Sequence, residues 1–416
     1  MAQRRQAFRL AVAWSAAVAT CGSHRMTAVL TLAEAAGRGQ QPAPGRGGAR
    51  RQKASVRGWH NPNDAANGVL YINVNSSLPV ATAMANALPQ LPIAKCKTLV
   101  SMGAVYYCRL GETRLERIAP TATPIGASSS AALATHVEVG GTLRVHTNPR
   151  HFPACSRCGP ASWAKRIIRV HSDFVAVDKP PGVPSAPHVS NGREWLIPYA
   201  AAALDALLPG TSPSILRPCH RLDIGTSGII LMARNVNFAE HFRKLLQTKA
   251  GNIQKWYRAL VSGNPIANGT VLRHWISKSV FGRPGPMLIA PSSAAVSESN
   301  HVWRDAITEV SECKRTPGGC WELLLKPLTG RTHQLRAQLA AVGMPIVSDT
   351  LYKPLAGFLW NSTSDDVEAE RRVHEAANAM HGDTFALQAS RLTFEDEDIE
   401  APPPWWWGTG DESGQV

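Results

Sequence analysis

Apolar positions along the chain fall into two blocks with different rhythms. Between residues 63 and 148 they come in short bursts. Ala83–Leu88 and Pro92–Met102 each predict a short helix, the second ended at Gly103, and Val105–Cys108 predicts a strand. A loop rich in Thr, Ala, Ser and Pro follows, and Val137–Val145 then reads as a turn and a closing strand. From about residue 161 the runs are longer. Ile167–Val170 and Phe174–Val177 flank His171-Ser172-Asp173 as two strands joined by a turn, and Lys179-Pro180-Pro181-Gly182 forces another turn. Ile229–Ala233 is a continuous apolar run. Asn235 is placed to cap a helix whose apolar face is Phe238, Phe242, Leu245 and Leu246.

Ile253–Val261 alternates, which puts Lys255, Tyr257 and Ala259 on one face of a strand. Trp321–Lys326 predicts a further strand. Thr332 is expected to cap a helix through Leu335, Leu339 and Ala340 that stops near Gly343, and two strands, Thr384–Ala389 and Ser390–Phe394, are expected to close the block. Strands outnumber helices. Neither strict βαβ alternation nor a Gly-rich dinucleotide loop is present, so the pattern predicts an α+β domain with a mixed, mostly antiparallel sheet.

A length of 416 residues fits more than one domain, and no stretch is long and apolar enough to span a membrane. The boundaries read from composition are a leader at 1–61, a small domain at 62–150 and a turn-forming connector at 151–160. A main domain at 161–400 and a tail at 401–416 follow. Residues 1–60 hold ten Lys or Arg and a single acid, Glu34, the composition of a plastid or mitochondrial transit peptide or of a basic RNA-binding tail. Residues 391–416 hold one Arg and seven acids. The stretch between carries 33 bases and 22 acids, a net of +11, which fits a polyanionic partner. The tail sequence Pro402-Pro403-Pro404-Trp405-Trp406-Trp407 is expected to pack back on the protein, since exposed indoles are costly. Eight scattered cysteines do not suggest a secreted disulfide scaffold. Cys155-Ser156-Arg157-Cys158 lacks the second ligand pair that a zinc site needs, so no metal is expected. Cys219 is expected to be a buried free thiol.

The densest candidate chemistry is His220-Arg221-Leu222-Asp223-Ile224-Gly225-Thr226-Ser227-Gly228. A carboxylate beside a cation stays ionised and can serve as a nucleophile or an electrostatic stabiliser, although an arbitrary Arg-x-Asp is more often a surface ion pair.

The nine-residue string resembles the signature of the RluA family of RNA pseudouridine synthases: His-Arg-Leu-Asp, two variable positions, Thr-Ser-Gly. Asp173–Gly182 resembles that family's opening strand and Lys-Pro-x-Gly turn, and Lys255-Trp256-Tyr257-Arg258-Ala259 its Lys-x-Tyr-x-Ala strand. Lys326–Arg336, continued by Gly343, Pro345, Asp349 and Tyr352, resembles its third motif. The resemblance spans roughly residues 166–394.

It implies the pseudouridine synthase fold, with a catalytic cleft, and conversion of uridine to pseudouridine in structured RNA, ribosomal or transfer, with no cofactor and no metal. Asp223 matches the essential aspartate, acting on the sugar or the uracil ring. Tyr257 matches the tyrosine that stacks on the base and handles the departing proton, and Arg336 the arginine paired with the carboxylate. Arg221 matches a residue that helps flip the nucleotide, or else contacts phosphate. Lys255 and Arg331 are expected to contact RNA, and Lys179 to contact phosphate or fix its turn. Gln338 and Ser348 depart from the family's usual His and Gly. Residues 62–150 resemble the small S-four-type, or alpha-L, RNA-binding module, with Lys95 and Lys97 on its basic helix touching phosphates. The protein is expected to act as a monomer. The rival reading is a catalytically silent RNA chaperone or ribosome-assembly factor on the same fold. A glycosidase would need a second cooperating acid, which the matched motifs do not supply.

Overall fold

Alternation along two adjacent strands builds the centre of the molecule. Val175, Val177, Ile230 and Met232 face one way, while Phe174, Ala176, Ile229, Leu231 and Ala233 face the other. Both sets are buried, which is why Ile229–Ala233 reads as an unbroken apolar run and not an alternating one. A computed structural model of the chain describes residues 68–119, 129–157, 159–209, 215–250, 252–278, 285–293, 302–360, 367–378, 382 and 384–407. The expected leader at 1–61, Cys158 and the end of the tail at 408–416 lie outside the described residues.

The N-terminal part carries β1 (Val69–Asn73), α1 (Val80–Ala87), α2 (Ile93–Ser101), β2 (Val105–Cys108), β3 (Glu116–Arg117) and β4 (Thr142–His146). The four strands form an antiparallel sheet in the order β1-β4-β2-β3. Its buried side chains, among them Met84, Leu99, Val105, Leu143 and Val145, make a core of their own with α1 and α2. The strand β1 was not foreseen from the sequence.

The larger part begins with the hairpin β5 (Ile167–Val170) and β6 (Phe174–Lys179), then α3 (Leu196–Leu207), β7 (Ser227–Ala233), α4 (Val236–Thr248) and β8 (Gln254–Val261). It continues through β9 (Val271–Lys278), β10 (Met287–Ala290), β11 (Arg304–Arg315), β12 (Trp321–Pro327), α5 (Gln334–Ala341), α6 (Val367–Asn378), β13 (Leu387–Phe394) and β14 (Glu397–Glu400). The strands join one sheet in the order β10-β9-β11-β12-β8-β13-β7-β6-β5, with β14 added on β13. Every named neighbour is antiparallel except β7 beside β13. The expected α+β class with a mixed, mostly antiparallel sheet is therefore observed. The helix α3 covers one face of the β6–β7 region, and α4, capped by the Asn235 side chain on the Phe238 amide, covers the other. Every residue of α5 is buried. Leu335 and Leu339 face one core cluster, and Ala337, Ala340 and Ala341 a second.

The parallel junction depends on glycine. Gly228 has φ +99°, and a Cβ there would sit 2.2 Å from the Ala389 carbonyl oxygen on β13. No side chain fits between these two backbones.

Three expectations need correction. The segment 151–160 is no free connector: Phe152 and Cys155 are fully buried in the core under α3, so its turn-forming composition concealed two anchors. Thr332 does not cap α5; His333 occupies that position in a left-handed conformation, φ 54°, without a side-chain capping bond. Gln334 organises the start of the helix, its Oε1 accepting from the Arg331 amide and its Nε2 donating to the Ile307 carbonyl. Residues 387–394 form one strand, in which the register slips beside Ser390 opposite Trp256 and Tyr257; a bulge mimics a break in the apolar pattern. The acids Glu397, Asp398 and Glu400 lie on the edge strand β14, within the expected main domain at 161–400. Trp406 does pack against the sheet core, its indole and that of Trp407 both donating to Glu322. No helix among the described residues is long and apolar enough to cross a membrane.

Candidate active site

The loop Arg221–Thr226 enters β7 and is held on both sides of Asp223. On the near side, the Ser185 hydroxyl donates to the Leu222 carbonyl at 2.8 Å and accepts from the Leu222 amide at 3.1 Å. On the far side, the Ile224 carbonyl accepts from the Gly182 amide at 2.9 Å and from Lys179 Nζ at 3.0 Å. Lys179 also donates to the Pro180 and Val183 carbonyls, so the fully buried ammonium spans the turn and the loop together. Of the two roles expected for Lys179, the structure shows turn fixing; a fully buried amine has no access to phosphate. Burial pushes its pKa down to about 7, against the pull of the Asp223 charge.

The Asp223 side chain is 28% exposed. Arg336 Nη1 lies 3.5 Å from its Oδ2. The stronger bonds of that guanidinium run elsewhere: Nε and Nη2 grip Asp349 at 2.7 and 2.9 Å. Its plane is flanked by the rings of Phe385 and Tyr352, 4.3 and 5.0 Å from Cζ to the centroids. Burial opposes its charge, but the bonds and charge of Asp349, aided by Tyr352 and Asp223, hold its pKa above the ordinary arginine value. The expected pairing of Arg336 with Asp223 is present, as the third contact of an arginine clamped by another acid. That clamp fixes the fork and leaves Nη1 aimed at Asp223.

Tyr257 lies on β8, packed against the core clusters on both sides of the sheet centre. Its hydroxyl makes no hydrogen bond among the described residues. Burial, with the negative charge of Asp223, raises its pKa well above the usual phenol value. Asp223, Tyr257 and Arg336 come from a loop before β7, from β8 and from α5; Arg336 lies against Asp223, and Tyr257 is close enough to feel the Asp223 charge.

Arg221 is exposed. Lys255 is half-buried, and burial pushes its pKa down to about 8. Arg331 does not stand free for RNA: its Nε donates to the Asp305 carbonyl at 2.9 Å and its Nη2 to the Asp305 carboxylate at 2.7 Å. Lys95 and Lys97 are exposed on α2, in the N-terminal part of the fold. Cys219 is buried and its pKa is raised to about 12, so it stays a thiol. His220 accepts from the Leu231 amide through Nε2, and burial holds it neutral. No group of three or more His, Cys, Asp or Glu among the described residues is placed to hold a metal ion.

Sequence reasoning treated Asp349 and Tyr352 only as extensions of a motif, and His333 only as a letter within one. His333 Nε2 lies 3.9 Å from Asp223 Oδ2, and its Nδ1 lies 3.1 Å from the Tyr352 hydroxyl. The two departures are structural. Gln338 is fully buried; it accepts from Thr308 and donates to the Ala306 carbonyl, tying α5 to β11. Ser348, directly before Asp349, has φ 67°, the region that favours glycine.

A partly exposed carboxylate beside a clamped arginine is an arrangement suited to a nucleophile or an electrostatic stabiliser. Residues 173–341 match the RNA pseudouridylate synthase family. A chloroplastic RNA pseudouridine synthase of Arabidopsis thaliana is 30% identical over 305 residues, 65% of this chain and 61% of that protein. An uncharacterized RNA pseudouridine synthase of Zymomonas mobilis is 30% identical over 242 residues, 58% of this chain and 94% of that protein. A solved structure, human RNA pseudouridylate synthase domain containing 4, is 21% identical over 60% of this chain and 92% of that chain, with a TM-score of 0.44. The chain belongs to the RluA-like RNA pseudouridine synthase family. It spans about three fifths of the length of its plant relatives, 61% and 60%.

Proposed function

We propose that this protein isomerises uridine to pseudouridine within RNA, with Asp223 as the group that attacks. The C–O bond that Asp223 forms, to the sugar or to the uracil ring, is broken again; net, the N1–C1′ bond is exchanged for a C5–C1′ bond, the C5 proton passes to solvent and N1 takes one up. The carrying observation is the double anchorage of Leu222 and Ile224, which holds a partly exposed carboxylate beside a clamped arginine. Arg336 orients Asp223. Tyr257 stacks on the base as a neutral phenol; its raised pKa makes phenolate a scarce species, so it serves chiefly through its ring. Arg221, exposed beside the carboxylate, helps hold the nucleotide out of its stack, and Lys255 contacts the backbone nearby.

The N-terminal sheet-and-helix part is read as an RNA-binding module of the alpha-L type, with Lys95 and Lys97 on phosphates. The substrate is structured RNA, ribosomal or transfer. The organelle-named relatives and the basic leader support action in a plastid or mitochondrion; the protein is taken to act as a monomer.

Release of tritium from 5-tritiated-uridine transcripts of ribosomal and transfer RNA tests this. The wild type releases it; Asp223→Ala abolishes release and still binds RNA. Equal release by the variant ends the assignment, and binding without release by the wild type would make the protein an RNA chaperone.

A further inference from the structure

His333 sits where a helix normally places a small polar capping residue in extended conformation. Here the backbone is left-handed, φ 54° and ψ 19°, and the side chain makes no capping bond. A residue other than Gly, Asn or Asp adopts this region at a cost, and such costs collect at functional positions. The conformation turns the imidazole toward Asp223. Nε2 lies 3.9 Å from Oδ2, the same oxygen that Arg336 Nη1 approaches at 3.5 Å.

The second ring nitrogen is also engaged. Tyr352 is buried, and its oxygen accepts from the Met287 amide at 2.8 Å. His333 Nδ1, the one acceptor within reach of the Tyr352 proton among the described residues, lies 3.1 Å from the same oxygen, and we take the hydroxyl as the donor. An Nδ1 that accepts must leave the ring proton on Nε2, facing the carboxylate. The rings of His333 and Tyr352 meet edge to face at 5.8 Å, which fixes the imidazole plane.

We propose that His333 is a positioning residue for Asp223. Tyr352 sets it as the Nε2–H tautomer; with Arg336 it flanks Oδ2, its N–H at 3.9 Å closing to a hydrogen bond when RNA is bound, so that Oδ1 is the oxygen presented to the substrate. This inference rests on the isomerase reading for its kinetic consequence and stands apart from it for its tautomer.

The test uses the full chain. His333→Gly keeps the left-handed backbone without strain and deletes the ring. Misplacement of a reacting group by about 1 Å costs on the order of 100-fold in rate. His333→Gly is therefore expected to lower single-turnover tritium release by about 100-fold, with RNA affinity and melting temperature close to wild type. His333→Gln, whose amide N–H can replace Nε2–H, should regain roughly a tenth of the wild-type rate or more. His333→Gly combined with Tyr352→Phe should be no slower than His333→Gly alone, because Tyr352 acts through the ring. Release by His333→Gly near the wild-type rate, a loss confined to affinity or melting temperature, or additive losses in the double variant would each overturn the proposal.

Nitrogen-15 spectra of histidine-labelled protein read the tautomer whether or not any RNA reacts. Nδ1 should be bare and Nε2 protonated, the His333 signals being found by their absence in His333→Gly, and the preference should weaken in Tyr352→Phe. An Nδ1-protonated ring in the wild type would sink the proposal while leaving the isomerase reading intact. Tritium release by no form of the protein, with the Nε2–H ring present, would sink the isomerase reading alone.

Discussion

Replacing Asp349 by Asn separates what holds the site together from what reacts in it. Asp349 and Arg336 are bonded twice, with side chains only 1% and 8% exposed. At that depth solvent screening is weak, and removing one partner of a buried pair costs about 3–5 kcal/mol because the other charge is left uncompensated. Two features place this site at the lower end. Asp223 remains 3.5 Å from the guanidinium, and the Asn oxygen still accepts one hydrogen bond. The expected loss is thus about 3 kcal/mol, or roughly 6 °C in melting temperature for a domain of this size. Arg336 then has Asp223 as its nearest acid. The tighter pair makes the carboxylate a weaker nucleophile, so tritium release falls more than about tenfold with little change in RNA affinity. Thermal unfolding by circular dichroism and single-turnover release measure the two effects. A double variant, Asp349→Leu with Arg336→Met, removes both charges and should recover stability to within about 1 kcal/mol of wild type while remaining inactive. A single variant melting within a degree of wild type, or a double variant as unstable as the single, would refute the claim that an uncompensated buried charge sets the cost.

Two further outcomes follow from the same geometry. Lys179, at about 7 in the folded protein and 10.5 as a model group, binds fewer protons folded than unfolded between those values. Its contribution to stability therefore rises as pH climbs from 7 toward 10.5, so the unfolding free energy of wild type minus that of Lys179→Met should increase between pH 6.5 and 9; a flat or falling difference would show that Lys179 is not depressed. For Lys95 and Lys97, the double change to Ala should weaken RNA binding evenly across sequences and flatten the log-affinity against log-salt slope by about 2. An unchanged slope in a filter-binding titration would remove them from the RNA contact.

The residues that meet at the site were legible because each belongs to a string with a chemical signature. Asp223 follows an arginine and precedes a turn, Tyr257 sits in an alternating strand, and Arg336 sits in an apolar helix. The clamp behind Arg336 was not legible in the same way. Asp349 lies 13 residues further on, and nothing in its neighbourhood announces a buried pair. His333 was hidden because its role depends on a backbone angle, and a sequence carries no direct mark of positive φ outside glycine. The Ser390 bulge read as a gap between two strands because a slip of register and a chain break interrupt apolar alternation alike. The α+β class survived these misreadings because it rests on the count and length of apolar runs, and a single displaced boundary changes neither.

The least legible feature links the two parts of the fold. Arg117, on β3, donates to the Gly103 and His188 carbonyls, Tyr106 donates to the Val189 carbonyl, and the Gly192 amide donates to the Met102 carbonyl. Nearly every acceptor is a backbone oxygen, which any residue could supply, so the contact leaves no pattern in residue types. It matters because residues 188–192 continue the segment whose Ser185 grips Leu222, one residue from Asp223. A Cβ on Gly192 would lie 2.7 Å from the Arg117 guanidinium, so this stretch lies directly against the N-terminal part. The guanidinium of Arg117 also stacks 4.7 Å from the Tyr106 ring, which restricts both donors before they meet the loop. The carboxylate is therefore supported from two directions by one continuous segment. Lys179 and Gly182 hold its far side from the turn after β6, and Ser185 holds its near side. The same chain then runs on to hydrogen bonds with the small sheet. The position of Asp223 is in this sense a property of both parts of the fold, and the small sheet belongs to the frame of the site.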